Sequence, residues 1–240
     1  MTNQKTRLNE DNGLLPNPFP EECVFFSQQI TNKAYHIHPM EEALSYKFSS
    51  EKRKFEFLAG RDCIHLLFKE LGFPNLPVLF NKHREPLWPF NSVGSISHGA
   101  AIAAAILGKP DSRVLGLGID IEDLSRDIRT DITRHVLTPW EIRHWKEDKG
   151  QTSEITRKIF SIKETIYKCF YPINHCSMGF KDAEILEIGP NDFFARLLKS
   201  PFKGYITRPL EFKGKIYQSD HTVFTALKYD SKGIASVKAD

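Results

Sequence analysis

VLGLGIDIEDL, Val114–Leu124, alternates up to an acidic end and reads as the clearest strand of the chain. Successive side chains on a strand point to opposite faces, so Asp120 and Glu122 share one face while Ile119 and Ile121 share the other. Two carboxylates side by side at the end of an apolar strand repel each other. A divalent cation removes that repulsion, and hard oxygen ligands suit magnesium. D-x-E is a short pattern, and taken alone a strand end whose acids face water accounts for it more simply.

Past this strand, DITRHVLTPWEIRHWKED carries a helix start: Thr138 as N-cap, Pro139 at the first helical position, and Glu141 completing a capping box. SEITRKIFSIKETIYKCFYP then reads as a second helix, stopped by Pro172. Within it, FSIKETIYK (Phe160–Lys168) places Glu164 and Lys168 four residues apart on one face, with Lys163 beside Glu164. Ile159, Ile162, Ile166 and Phe170 mark the buried side. An exposed Glu–Lys pair of this kind is worth only about 0.3–0.5 kcal/mol and needs no function. The alternative is a third carboxylate for a metal and a lysine to neutralise phosphate, both of which phosphoryl chemistry requires. From about Lys181 the chain alternates short strands and turns: AEILEI, FFARLL, GKIYQ and HTVFTALKY.

On the N-terminal side, residues 1–20 are polar and Pro-rich and read as a loose arm. ECVFFSQQI (Glu22–Ile30) has strand character, and Met40–Gly72 reads as helical, with Phe55, Leu58, Ile64, Leu67 and Leu71 near the helical period. Gly72 and Pro74 end it. After the Pro-rich NKHREPLWP, SVGSISHGAAIAAAILG gives a short strand, a polar turn and a small-residue strand. His98 closes the SISH segment, where an imidazole is suited to donate to phosphate; a structural histidine fits as well. Arg61, Lys82 and Arg84 offer cations that match phosphate oxygens, or simply surface charge. A helix with a β-meander, then helices with a β-meander, predicts an α+β protein of two halves, 21–115 and 116–240, after the arm.

Composition bounds the function. The 240 residues suffice for a sizeable core, and 40% hydrophobic with 26% charged residues is ordinary for a soluble globular protein. A net charge of +3 is too small to argue for nucleic acid. None of Cys23, Cys63, Cys169 and Cys176 has C-x-x-C spacing, so free thiols in a reducing compartment are expected. The N-terminus lacks the apolar core of a signal peptide, and the apolar run Ala100–Leu107 is too short to span a bilayer, so a cytoplasmic protein without a membrane partner is expected.

The motifs are unspecific one by one, but their joint order resembles the 4′-phosphopantetheinyl transferases, of the surfactin/enterobactin-synthetase type and nearer the enterobactin-like branch. FLAGRDC (Phe57–Cys63), REPLWP (Arg84–Pro89) with VGSISH (Val93–His98), GLGIDIED (Gly116–Asp123), VLTPWE (Val136–Glu141) and FSIKETIYK carry the resemblance, from about Phe55 to Pro172. It implies that phosphopantetheine passes from coenzyme A to a serine of an apo carrier protein, leaving adenosine 3′,5′-bisphosphate. It also implies two similar subdomains in a pseudo-twofold arrangement, with the active site between the halves and the protein monomeric. Asp120, Glu122 and Glu164 would hold magnesium; Glu164 is also the candidate general base, directly or through water, and Lys168 would stabilise the attacked phosphate. His98, with Ser97, would contact coenzyme A phosphates; Arg61, Lys82 and Arg84 would hold phosphate and the adenine side; Lys163 of the FSIKETIYK motif is placed with them among the coenzyme A-binding residues. Gly99 and Thr165 depart from the commoner residues at their positions.

Carrier domains of this family's kind are acidic near their serine, and Arg134, Arg143, His144, Trp145, Lys146, Arg157 and Lys158 are candidates to meet them. A magnesium-dependent nuclease or other phosphodiesterase shares the carboxylates but leaves REPLWP–SISH unexplained. A non-catalytic coenzyme A- or carrier-binding module would tolerate loss of a metal carboxylate or the motif lysine, and all are present.

Overall fold

The computed structural model describes residues 14–82, 84–125, 130–145, 152–175, 177–200 and 209–230. The chain divides into two compact units, Met1–Ser92 with Ile96–Ser112, and Val93–Ser95 with Arg113–Asp240. Both mix helix and sheet, as the α+β expectation has it. The N-terminal arm beyond its last residues lies outside the described part, as do Cys176 and Lys146.

In the N-terminal part the elements run β1 (Cys23–Gln29), α1 (Pro39–Ser45), α2 (Glu51–Glu70), β2 (Leu79–Phe80), β3 (Pro86–Leu87), β4 (Gly94–Gly99) and β5 (Ile102–Gly108), all of the first unit except Gly94 and Ser95 of β4. A sheet in the order β1-β5-β4 packs its apolar face, Val24, Phe26, Ala103, Ala105 and Leu107, against Ala59, Cys63, Ile64, Leu67 and Phe68 of α2. The small alanines of β5 let the helix lie close to the sheet. The helix expected to run unbroken from Met40 to Gly72 is two helices. Its break falls where Ser50, in extended conformation, accepts a hydrogen bond from the Arg53 amide at 3.3 Å and caps α2. Gly72, at φ +74°, ends α2 in the left-handed conformation. NKHREPLWP contains β3 of the small β2–β3 hairpin, which its Pro-rich sequence conceals.

The second unit runs β6 (Val114–Asp123), α3 (Thr130–Val136), α4 (Pro139–His144), α5 (Thr152–Asn174), β7 (Ala183–Ile188), β8 (Asp192–Leu197), β9 (Leu210–Gln218) and β10 (Thr222–Asp230). Its strands form a five-stranded antiparallel sheet, β6-β10-β9-β8-β7, so the first strand pairs with the last. Ile159, Ile162, Ile166 and Phe170 are buried as their period requires, and they join Ile185, Phe193, Ile216, Val223 and Leu227 in the core. Pro172 does not stop α5 but lies within its last turn. A proline so close to the end removes one amide hydrogen bond from a turn that is ending anyway, and the chain leaves the helix at His175, φ +55°.

Candidate functional site

Gly116, Gly118, Asp120 and Glu122 share one face of β6, and the glycines explain why α5 lies on it. A Cβ on Gly118 would stand 1.9 Å from the Thr165 carbonyl oxygen, and one on Gly116 would stand 2.4 Å from that of Cys169. Contact between helix backbone and strand backbone brings the next residues along the face, the carboxylates, beside the polar side chains of α5. Gly118→Ala is therefore expected to push α5 outward, costing about 1–3 kcal/mol in stability. Thermal unfolding checks this.

Lys168 Nζ donates to Asp120 Oδ1 at 2.8 Å and to the Ile119 carbonyl at 3.1 Å. Asp120 is 5% exposed. Arg157 Nη1 donates to Glu122 Oε2 at 3.1 Å. Thr225 of β10, paired with Asp120 in register, bonds Ser161 at 2.9 Å and Thr165 at 2.7 Å through its hydroxyl. Thr165, the departure from the commoner residue, thus helps fasten α5 to the sheet. Burial pushes the Glu122 carboxyl up to about 7, with the Asp120 charge adding to it and Arg157 and Lys168 opposing. Burial also raises Glu164, with Lys168 opposing and Asp120 adding.

Among the described residues, no three His, Cys, Asp or Glu side chains stand close enough together to hold a metal as they are placed. Lys168 is on Asp120 and Arg157 is on Glu122. The donor set nevertheless suits a hard divalent cation. It consists of carboxylates alone, and burial together with the Asp120 charge holds back the ionisation of Glu122 and Glu164, which such a cation relieves.

Lys163 has a different place. Its side chain is 1% exposed, and Nζ donates to Glu141 Oε2 at 2.6 Å and to the Val136 carbonyl at 2.8 Å. The Glu141 carboxylate also accepts from the Thr138 amide at 2.7 Å and the Ile185 amide at 2.8 Å. Lys163 was expected among the coenzyme A ligands; it is instead the buried counter-ion that ties α5 to the α4 cap and to β7. The capping box is as expected, but nothing local to TPWE shows that its glutamate also reaches Lys163.

In the first unit, Lys82 and Arg84 are exposed on the β2–β3 turn, Arg84 at φ +64°. His98, one-third exposed, has Nδ1 3.6 Å from Glu56 Oε2, and Ser97 is buried. Arg61 is buried: Nε donates to the Val78 carbonyl at 2.7 Å and lies 3.8 Å from Glu41 Oε1, and the guanidinium covers the Phe57 ring. Burial lowers its pKa to about 10, against the pull of Glu41. The Glu41 network, which also takes His65 Nε2 at 2.6 Å and the Val78 amide at 2.7 Å, carried no sequence signal, because its members lie 24 and 37 residues away from Glu41. Among the residues considered for carrier docking, Arg134, Arg143 and His144 are exposed. Arg157 is not free for that role, being engaged with Glu122, and Lys158 pairs with Glu154 at 2.8 Å.

The sequence model for the 4′-phosphopantetheinyl transferase N-terminal domain matches residues 41–108, and that for the 4′-phosphopantetheinyl transferase superfamily matches residues 116–219. The chain is 31% identical over 201 residues to 4′-phosphopantetheinyl transferase Npt of Nocardia iowensis, an alignment covering 80% of this chain and 89% of that protein. It is 33% identical over 149 residues to 4′-phosphopantetheinyl transferase PptT of Mycobacterium tuberculosis, covering 60% and 63%. It is 32% identical over 139 residues to enterobactin synthase component D of Escherichia coli O157:H7, covering 58% and 64%. With both halves of the sequence matched and the motif carboxylates and lysine joined on β6 and α5, the chain belongs to the 4′-phosphopantetheinyl transferases, enzymes that move the phosphopantetheine group of coenzyme A onto carrier proteins.

Proposed function

We propose that the β6–α5 cluster is the reacting centre of this transfer, and that Lys168 seated on Asp120 at 2.8 Å is the observation that carries the reading. The acceptor is a serine of an apo acyl, aryl or peptidyl carrier domain. Its hydroxyl oxygen bonds to the phosphorus bearing pantetheine, and the bond from that phosphorus to the bridging oxygen breaks. The leaving group is adenosine 3′,5′-bisphosphate. Glu164 takes the hydroxyl proton, directly or through water; burial lifts its pKa toward the working pH, which suits a general base. Lys168, half-buried, steadies negative charge on the attacked phosphate. Asp120, Glu122 and Glu164 are the residues that would hold magnesium. When bound there, magnesium neutralises charge on the diphosphate oxygens. Lys82, Arg84 and His98 take the remaining phosphate charge and the adenine side, and Arg61 and Ser97 complete that set from buried positions. The protein works as a monomer in the cytoplasm, with no nucleic acid or membrane partner. No helix among the described residues is long and apolar enough to cross a membrane.

Lys168→Ala is expected to lower kcat about 100-fold with little change in coenzyme A affinity, because its charge matters most where charge develops. A loss of binding with normal turnover at saturation would assign it to the ground state. The function as a whole is tested with coenzyme A and an apo carrier domain. Adenosine 3′,5′-bisphosphate should appear one-for-one with holo-carrier. Bound coenzyme A with neither product, on fatty-acid, polyketide and peptide carriers alike, would overturn it.

A further inference from the structure

One face of α5 presents Arg157, Ser161, Thr165 and Lys168, at spacings that stack along a helix. Ser161 and Thr165 meet Thr225, and Lys168 meets Asp120. Arg157, at the N-terminal end of the stripe, meets Glu122 in the same way, with its side chain 11% exposed and that of Glu122 24% exposed. A charge-assisted bond in so sheltered a place persists in a way that a surface pair does not. Asp120 and Glu122 thus each carry a cationic side chain from α5. The roles differ: Lys168 is placed to meet substrate phosphate, whereas the established chemistry gives Arg157 nothing to do.

We propose that Arg157 is the resident counter-ion of the cation site, holding Glu122 in the metal-free protein and setting how tightly a divalent cation binds. This rests on the reading of Asp120, Glu122 and Glu164 as cation ligands. A cation on Glu122 and a guanidinium on the same carboxylate repel each other, so each weakens the other's hold, and the coupling is reciprocal. In exchange, Arg157 balances the two carboxylates of β6 when no cation is bound and keeps Glu122 in place. Arg157 is thus a positioning residue that acts through Glu122.

A purely structural role and this one predict opposite signs. The full chain, free of coenzyme A, is titrated with Mn²⁺ by calorimetry as wild type, Arg157→Gln, Arg157→Met and Arg157→Lys, with circular dichroism confirming each fold. The two neutral variants should bind Mn²⁺ about tenfold more tightly than wild type, and Arg157→Lys should match wild type because it keeps the charge. Arg157→Met replaces the glutamine variant if that one does not fold. Neutral variants that bind Mn²⁺ equally or more weakly would overturn the proposal while leaving the cation site intact. No Mn²⁺ binding by wild type, together with holo-carrier formation in excess chelator, would overturn both.

Discussion

Lys163→Met is expected to destabilise the protein by about 3–5 kcal/mol, although methionine fills nearly the same space. The loss comes from Glu141, whose fully buried carboxylate would be left without its counter-ion. Burial, with the Lys181 charge adding to it, lowers the pKa of Lys163, and Glu141 is the chief group opposing this, with Glu184 helping. Denaturant unfolding measures the effect. Adding Glu141→Gln should recover part of the loss, because it removes the stranded carboxylate while the amide oxygen still accepts one backbone hydrogen bond of the cap. Coenzyme A affinity of the folded Lys163→Met protein should be unchanged. A variant of full stability with weakened coenzyme A binding would return Lys163 to the ligand-binding role expected from the motif. Two lysines five positions apart in FSIKETIYK therefore separate cleanly. Lys163 is assigned to stability, Lys168 to turnover.

Asp120→Ala and Glu164→Ala are expected to lower transfer by at least about 1,000-fold while leaving the fold intact. Each removes a carboxylate oxygen donor, and the second also removes the proposed base. Stability should change little. Asp120 adds to the charge that pushes up both Glu122 and Glu164, so its removal relieves repulsion as well as ending the bond to Lys168. Circular dichroism and single-turnover assays separate the two effects. Full turnover in both variants would sink the site assignment.

The parts of this arrangement that follow from short-range rules were legible in the sequence. Alternation in Val114–Leu124 put Asp120 and Glu122 on one face, and helical spacing put Glu164 and Lys168 together with Ile159, Ile162, Ile166 and Phe170 turned inward. Thr138, Pro139 and Glu141 announced the start of α4. The break between α1 and α2 had a local signal too, the serine pair ahead of Glu51, but the charged run beyond it kept the helical pattern continuous. What the sequence concealed is pairing at a distance. Arg157 and Glu122 are 35 residues apart, Lys163 and Glu141 are 22 apart, and Thr225 is 60 from Thr165. Side-chain type tells that each needs a partner when buried, but only the docking of α5 on the β6 glycines decides which. For the same reason Arg157 and Lys158 read alike in sequence, as basic residues on a helix, and differ completely in surroundings.

Whether the β6–α5 cluster is a cation-dependent transfer centre is tested most directly by the intact mass of an apo carrier domain after incubation with this protein and coenzyme A, with magnesium and with magnesium plus chelator. A gain of one phosphopantetheine group is expected in the first case and none in the second. A gain of the same size in the presence of chelator would contradict the role given to Asp120, Glu122 and Glu164. No gain with magnesium, on carriers of every class and with coenzyme A demonstrably bound, would contradict the transfer itself.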